Sequence, residues 1–148
     1  MTLKDHLSAD RVALLDTQKK REALGVLVDL VAASPDTGDR DAIDEAIRHR
    51  ERLMSTGIGH GIAVPHVRLE SVTKTTMAVG VCRKGITDYE SLDEEPVYIV
   101  VMIAAPKGRH EEYIRLLSEV TRVLKSESRR KRIVEAESPE DAIEVFLK

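Results

Sequence analysis

Apolar residues recur along this chain at two different periods, and the switches between them predict its elements. Arg11 to Leu15 is a short apolar run read as a first strand, and Thr17 is suited to N-cap the helix that follows. From Gln18 to Ala33, Ala23, Leu24, Leu27, Val28, Leu30 and Val31 fall at helical spacing on one face. The turn-rich stretch from Ser34 to Asp39 separates this helix from a second one, whose buried side is marked by Ala42, Ile43, Ala46, Ile47 and Leu53. Later, Met77, Val79 and Val81 alternate with smaller residues between Thr75 and Cys82, which predicts a strand closed by a turn at Arg83-Lys84-Gly85. Asp88 to Pro96 reads as an acidic exposed loop. Val97 to Ala105 is continuously apolar and rich in β-branched residues, as expected of a central strand covered on both faces, and Pro106-Lys107-Gly108 stops it.

The last third is helical in pattern. Tyr113, Ile114, Leu116, Leu117, Val120, Val123 and Leu124 make a long amphipathic helix over His110 to Lys125, and Ser128 to Ala136 predicts a short basic one. Ser138 and Pro139 fit the N-cap and first position of a final helix that turns Ala142, Ile143, Phe146 and Leu147 inward. Strands and helices mixed along one chain predict an α/β fold, a three-layer domain with helices on both faces of a sheet.

With 148 residues, 42% of them hydrophobic, the whole chain is expected to form a single domain around its own core without disulfides. Cys82 is the only cysteine and is expected to be a buried strand residue, which suits a reducing compartment. The net charge of −3 provides no basic field for nucleic acid, and Arg129-Arg130-Lys131-Arg132 reads as a solvated helix face. The amino terminus lacks the pattern of a secretory signal, and the Val97–Pro106 run is about half the ~20 residues of a membrane-spanning helix. The expected location is therefore the cytoplasm, without membrane embedding.

Candidate chemistry concentrates between Ser55 and His66. Gly57, Gly59 and Gly61 alternate there, and Ile62-Ala63-Val64 reads as a short buried strand that Pro65 ends, presenting His66 just outside the sheet. A histidine held by a proline beside a bend rich in backbone N–H groups suits a phosphoryl group, although such bends also serve as plain turns. The third glycine of a dinucleotide fingerprint is replaced by Ile62, and no Gly-Lys-Ser or Gly-Lys-Thr follows. His60 and His66 make a poor metal pair, so no metal and no cofactor is expected.

The run from Arg50 to His66, Arg-Glu-Arg-Leu-Met-Ser-Thr-Gly-Ile-Gly-His-Gly-Ile-Ala-Val-Pro-His, resembles the signature of the fructose/mannitol-type enzyme IIA domains of the bacterial phosphoenolpyruvate-dependent phosphotransferase system. Similarity to the nitrogen-regulatory branch of that family extends from Leu-Ser-Ala-Asp-Arg-Val near the start, through Ile-Ala-Ala-Pro, to Ser-Pro-Glu-Asp-Ala-Ile near the end. The resemblance implies a mixed parallel and antiparallel sheet. It also implies that His66 accepts a phosphoryl group at Nε2 from an HPr-like phosphocarrier, with Nδ1–H held by another group, such as a backbone carbonyl. Arg50 matches the family's motif arginine and lies three residues after Ile47, either aimed inward at the glycine bend or as a surface residue suited to a helix C-terminus. Backbone N–H groups around Thr56 and Gly57 are expected to help hold the phosphoryl oxygens.

Two positions depart from the family pattern: Val67 follows the histidine where a small residue is usual, and Tyr113 stands where a second histidine is usual. His110, about one turn earlier, is the other candidate for that second role and is slightly preferred. The implied outputs are delivery to a permease subunit or control of a regulatory target protein. The alternative is a regulatory binding module that takes up no phosphate. The sequence is silent on oligomeric state.

Overall fold

A computed structural model describes residues 3–148; Met1 and Thr2, the first residues of the stretch read for a secretory signal, lie outside the described residues. The strands are β1 (Val12–Leu15), β2 (Gly57–Gly59), β3 (Ile62–Ala63), β4 (His66–Leu69), β5 (Thr76–Ile86) and β6 (Val97–Pro106). The helices are α1 (Leu3–His6), α2 (Lys20–Ala32), α3 (Arg40–Leu53), α4 (His110–Leu124), α5 (Glu127–Val134) and α6 (Pro139–Leu147), with a 3-10 turn at Ala9–Arg11. The sheet runs β1-β5-β6-β3-β2, and β4 pairs with β6 beyond the end of β3. β1 is parallel to β5, β5 antiparallel to β6, and both β3 and β4 parallel to β6. The sheet is therefore mixed, as expected.

Alternation along β6 divides the core. Ile99, Val101, Ile103 and Ala105 face the cluster packed by α4, α5 and α6, whereas Val100, Met102 and Ala104 face that of α2 and α3. Helices thus cover both faces of a strand buried almost throughout, the arrangement its unbroken apolar run predicts. Ser138 and Pro139 occupy the N-cap and first position of α6, and the Ser138 hydroxyl accepts from the Asp141 N–H at 3.1 Å. Cys82 is fully buried, and burial raises its thiol pKa.

Five local expectations need correction. The segment after His66 is not simply a polar link, because its first four residues form β4, in register with Ile103–Pro106. Pairing uses backbone groups and does not require apolar side chains on an edge strand. Arg83-Lys84-Gly85 does not turn the chain; it lies inside β5 at a register shift against β6, with Gly85 at φ 85°. α2 starts at Lys20 and its N-cap position is Lys19, while the Thr17 hydroxyl accepts from the Lys19 N–H at 3.1 Å. The loop before β6 is largely exposed, but Tyr89 within it is buried. Leu53, Ile114 and Leu147, each expected to face inward, are 70%, 49% and 40% exposed because they lie at the margins of their apolar faces.

Candidate functional site

α3, β4 and the first turn of α4 deliver the chemistry-bearing residues, and the glycine hairpin links α3 to β4. α3 ends at Leu53, where the Met54 N–H donates to the Arg50 carbonyl, and the Arg50 side chain bends back to donate from Nη1 to the Met54 carbonyl at 3.0 Å. The next residues are anchored from below. The Glu51 carboxylate, buried, accepts from the Thr56 backbone N–H at 3.3 Å and from the Thr56 hydroxyl at 2.5 Å, and lies 3.0 Å from Lys20 Nζ. The Tyr89 hydroxyl joins Thr56 Oγ1 at 2.9 Å, with the Lys20 ammonium over the Tyr89 ring. Burial and the neighbouring Glu51 push the Tyr89 phenol pKa upward.

β2 and β3 then form a hairpin whose turn runs through consecutive left-handed residues, Gly59 (φ 97°), His60 (φ 57°) and Gly61 (φ 76°). Two glycines are suited to such a bend, since L side chains rarely adopt this conformation. Gly57 serves a different need. A Cβ on it would stand 2.2 Å from the Glu90 carbonyl oxygen and 2.9 Å from Ser91 Cα, so glycine lets the backbone of the acidic loop lie directly against β2.

Pro65 lies between β3 and β4, its carbonyl accepting from the Ile103 N–H at 3.0 Å. His66 opens β4. Its Nδ1 lies 2.7 Å from the Val64 carbonyl oxygen, which can only accept, so Nδ1 carries the proton and the neutral ring keeps its lone pair on Nε2. The ring lines a surface depression together with Arg50, Val67, Arg68, Lys107 and Tyr113. No carboxylate lines it among the described residues, and three of its side chains are cationic.

Tyr113, only 6% exposed, has its ring centroid 5.9 Å from that of His66 at a tilt of 47°. Burial pushes its phenol up to about 12, against the pull of Arg68 and Arg50, so it stays an un-ionised O–H donor at neutral pH. The Arg68 guanidinium lies over this ring at 5.4 Å, and its Nη1 is 3.1 Å from His110 Nδ1. Arginine can only donate, so His110 Nδ1 accepts, and the neutral His110 ring holds its proton on Nε2. The structure therefore groups His66 with Arg50, Tyr113 and Arg68, and sets His110 against Arg68.

Thr56 and Gly57 do not line the depression: Thr56 is committed to the buried Glu51–Tyr89 network and Gly57 to its contact with the acidic loop. Sequence reasoning missed Arg68 and Lys107. The signal for Arg68 was its spacing, because positions i and i+2 share a face once 66–69 is a strand.

The sequence model of the family "Phosphoenolpyruvate-dependent sugar phosphotransferase system, EIIA 2" matches residues 5–148. The chain belongs to this EIIA family. It is 40% identical over 129 residues to the PTS system fructose-specific EIIABC component of Bacillus subtilis, covering 87% of this chain but only 20% of that protein. It is 34% identical over 127 residues to the PTS system fructose-specific EIIA component of Haloferax volcanii, covering 86% of this chain and 82% of that protein. Among solved structures, the nitrogen regulatory protein IIA-Ntr from Neisseria meningitidis superposes with a TM-score of 0.87 at 22% identity, over 96% of this chain and 97% of that one. Enzyme IIAMTL of Escherichia coli, solved in complex with phosphorylated enzyme IIBMTL, superposes with a TM-score of 0.78 at 24% identity, over 95% and 96% of the two chains. At these identities the two structures establish that this EIIA chain shares their fold.

Proposed function

We propose that this EIIA chain is a reversible phosphoryl carrier that takes the group on His66 Nε2 from an HPr-like phosphocarrier protein. The observation that carries the reading is the 2.7 Å contact of Nδ1 with the Val64 carbonyl, which leaves Nε2 as the nucleophile of a ring bordering a cationic depression. In the transfer, the Nε2 lone pair forms a bond to phosphorus while the N–P bond of the donor breaks, and that electron pair returns to the donor's imidazole. The His66 ring then has substituents on both nitrogens and carries positive charge. The Val64 carbonyl, already aligned on Nδ1–H, stabilises that charge. Phosphoryl transfer depends on positioning and on neutralising the equatorial oxygens. Arg50 and Arg68 supply forked donors, Lys107 a mobile charge and Tyr113 a neutral O–H.

Both outputs of the family use this one event: the phosphoryl group passes to a IIB-type partner of a sugar permease, or its presence on His66 reports metabolic state to a regulatory target. The phosphorylated IIBMTL seated on IIAMTL supports the first partner class for this chain. We place the protein in the cytoplasm, where phosphoenolpyruvate is available. No helix among the described residues is long and apolar enough to cross a membrane.

Incubation with phosphoenolpyruvate, enzyme I and an HPr-type protein is expected to add one phosphoryl group, about 80 Da by intact mass, labile in acid and stable in base. No gain with several cognate carriers would establish instead a binding module that takes up no phosphate.

Single-turnover rates separate the supporting groups. Arg68→Ala is expected to slow transfer about a hundredfold, on the scale of a lost oxyanion donor, with Arg68→Lys between it and the parent. His110→Ala, which removes only the acceptor that orients Arg68, should cost less than about tenfold. A His110→Ala defect larger than that of Arg68→Ala would show that the imidazole itself meets the phosphoryl group.

A further inference from the structure

A second concave site lies apart from the depression at His66. An apolar slot of about 220 Å³ opens between the glycine hairpin and the second half of α4. Ile62, Val120 and Leu124 form its buried part, each no more than 3% exposed, while Ile58 at the lip is 48% exposed and Val64 is half-buried. An apolar cavity of about 150 Å³ holds a benzene-sized molecule, so this slot accommodates a body of about six to eight carbons.

Its rim selects a charge. The ionisable side chains lining the slot are His60, Lys125 and Arg130, with no carboxylate among them. Arg130 Nη1 donates to the Leu124 and Lys125 carbonyls at 2.7 and 3.1 Å, neutralising the negative end of α4 that would otherwise repel an anion. The Lys125 ammonium has no ion pair or hydrogen bond among the described residues. An apolar body beside an uncommitted ammonium is complementary to an amphipathic anion.

The slot also touches the phosphoryl site. Val64 contributes its side chain to the slot's wall, and its carbonyl holds the His66 Nδ1–H at 2.7 Å. A ligand that presses on the Val64 side chain bears on the one group that sets the tautomer and orientation of His66.

We infer that this slot binds a small monocarboxylate with an apolar body of about six to eight carbons, its carboxylate paired with Lys125, and that the bound ligand acts on His66 through Val64. The binding claim is independent of the phosphoryl-carrier reading; only an effect of the ligand on transfer rate rests on that reading.

The test titrates the full chain with octanoate, following the methyl signals of Ile58, Ile62, Val64 and Leu124 and the ring signals of His66 by NMR, with octylammonium as the charge control. Octanoate is expected to shift these methyls saturably and to move the His66 ring signals with the same midpoint. Octylammonium should bind at least about tenfold more weakly, and Lys125→Glu should weaken octanoate by a similar factor, as expected for loss of a charge-assisted contact. Thr121→Trp fills the slot from an exposed position of α4 and should abolish the shifts. Absence of saturable shifts at about 10 mM octanoate, equal binding of both probes, or shifts that persist in Thr121→Trp would overturn the site. Methyl shifts with an unmoved His66 ring would overturn the coupling. A failed phosphoryl uptake in the absence of octanoate leaves every one of these readouts intact and counts against the carrier reading alone.

Discussion

His66→Ala is expected to take up no phosphoryl group under conditions that fully label the parent, while its circular dichroism spectrum and thermal midpoint stay close to the parent's. The loss should be complete because the reaction is covalent: without Nε2 there is no atom to receive phosphorus, and no neighbouring residue substitutes for it. Tyr113 brings a hydroxyl-bearing ring into the same depression, yet burial holds its pKa up at about 12, and an un-ionised phenol is a poor nucleophile. The fold should persist because His66 is only half-buried at the edge of the sheet. Its pairing with Ile103 is made by backbone groups, which alanine retains. Labelling of His66→Ala at the parent rate would move the nucleophile to another residue.

Glu51→Ala carries the largest expected effect on stability, although Glu51 is remote from any covalent step. Glu51 is 8% exposed, and its carboxylate ties α2 through Lys20 to the start of the hairpin through Thr56, whose hydroxyl in turn joins Tyr89 of the acidic loop. Removing it leaves the Thr56 N–H, the Thr56 hydroxyl and a lysine without their shared acceptor. Lys20, 20% exposed, can turn partly toward water, which moderates the cost. A destabilisation of about 3 kcal/mol follows, or a drop in Tm on the order of 10 °C. Phosphoryl uptake well below the new midpoint should remain, because Lys20, Glu51, Thr56 and Tyr89 do not line the depression. A loss under about 1 kcal/mol in chemical denaturation would show that water replaces the carboxylate without penalty.

How much of this was legible in the sequence depended on whether the signal lay in side chains or in the backbone. β6 was evident because a strand buried on both faces must be apolar at every position, and Val97 to Ala105 is. α6 was evident from Ser138-Pro139, whose capping chemistry is local. β4 left no such mark. His66-Val67-Arg68-Leu69 pairs with β6 through its peptide groups, and its polar–apolar alternation over only four residues is too short to mark the strand and, with it, the placement of Arg68 in the same depression as His66.

The glycines were misleading in a related way. Gly57 suggested a cradle of N–H groups for phosphate, whereas its missing Cβ makes room for the Glu90 carbonyl. Thr56, read with it, turns inward to a carboxylate five residues earlier in the chain. The resemblance singled out His66 and Arg50 as candidates, and the fold sets both in one depression, but a backbone carbonyl such as that of Val64 has no sequence signature, and only the folded chain brings it to Nδ1.

That carbonyl offers the most direct measurement. Ring nitrogens of the phosphorylated, ¹⁵N-labelled chain can be assigned individually by two-bond proton–nitrogen NMR, which reports both the labelled histidine and the nitrogen that carries phosphorus. The arrangement at Val64 predicts a single phosphohistidine, at His66, with phosphorus on Nε2 and the proton retained on Nδ1. Phosphorus on Nδ1 of His66, or on any of the other histidines, would contradict it.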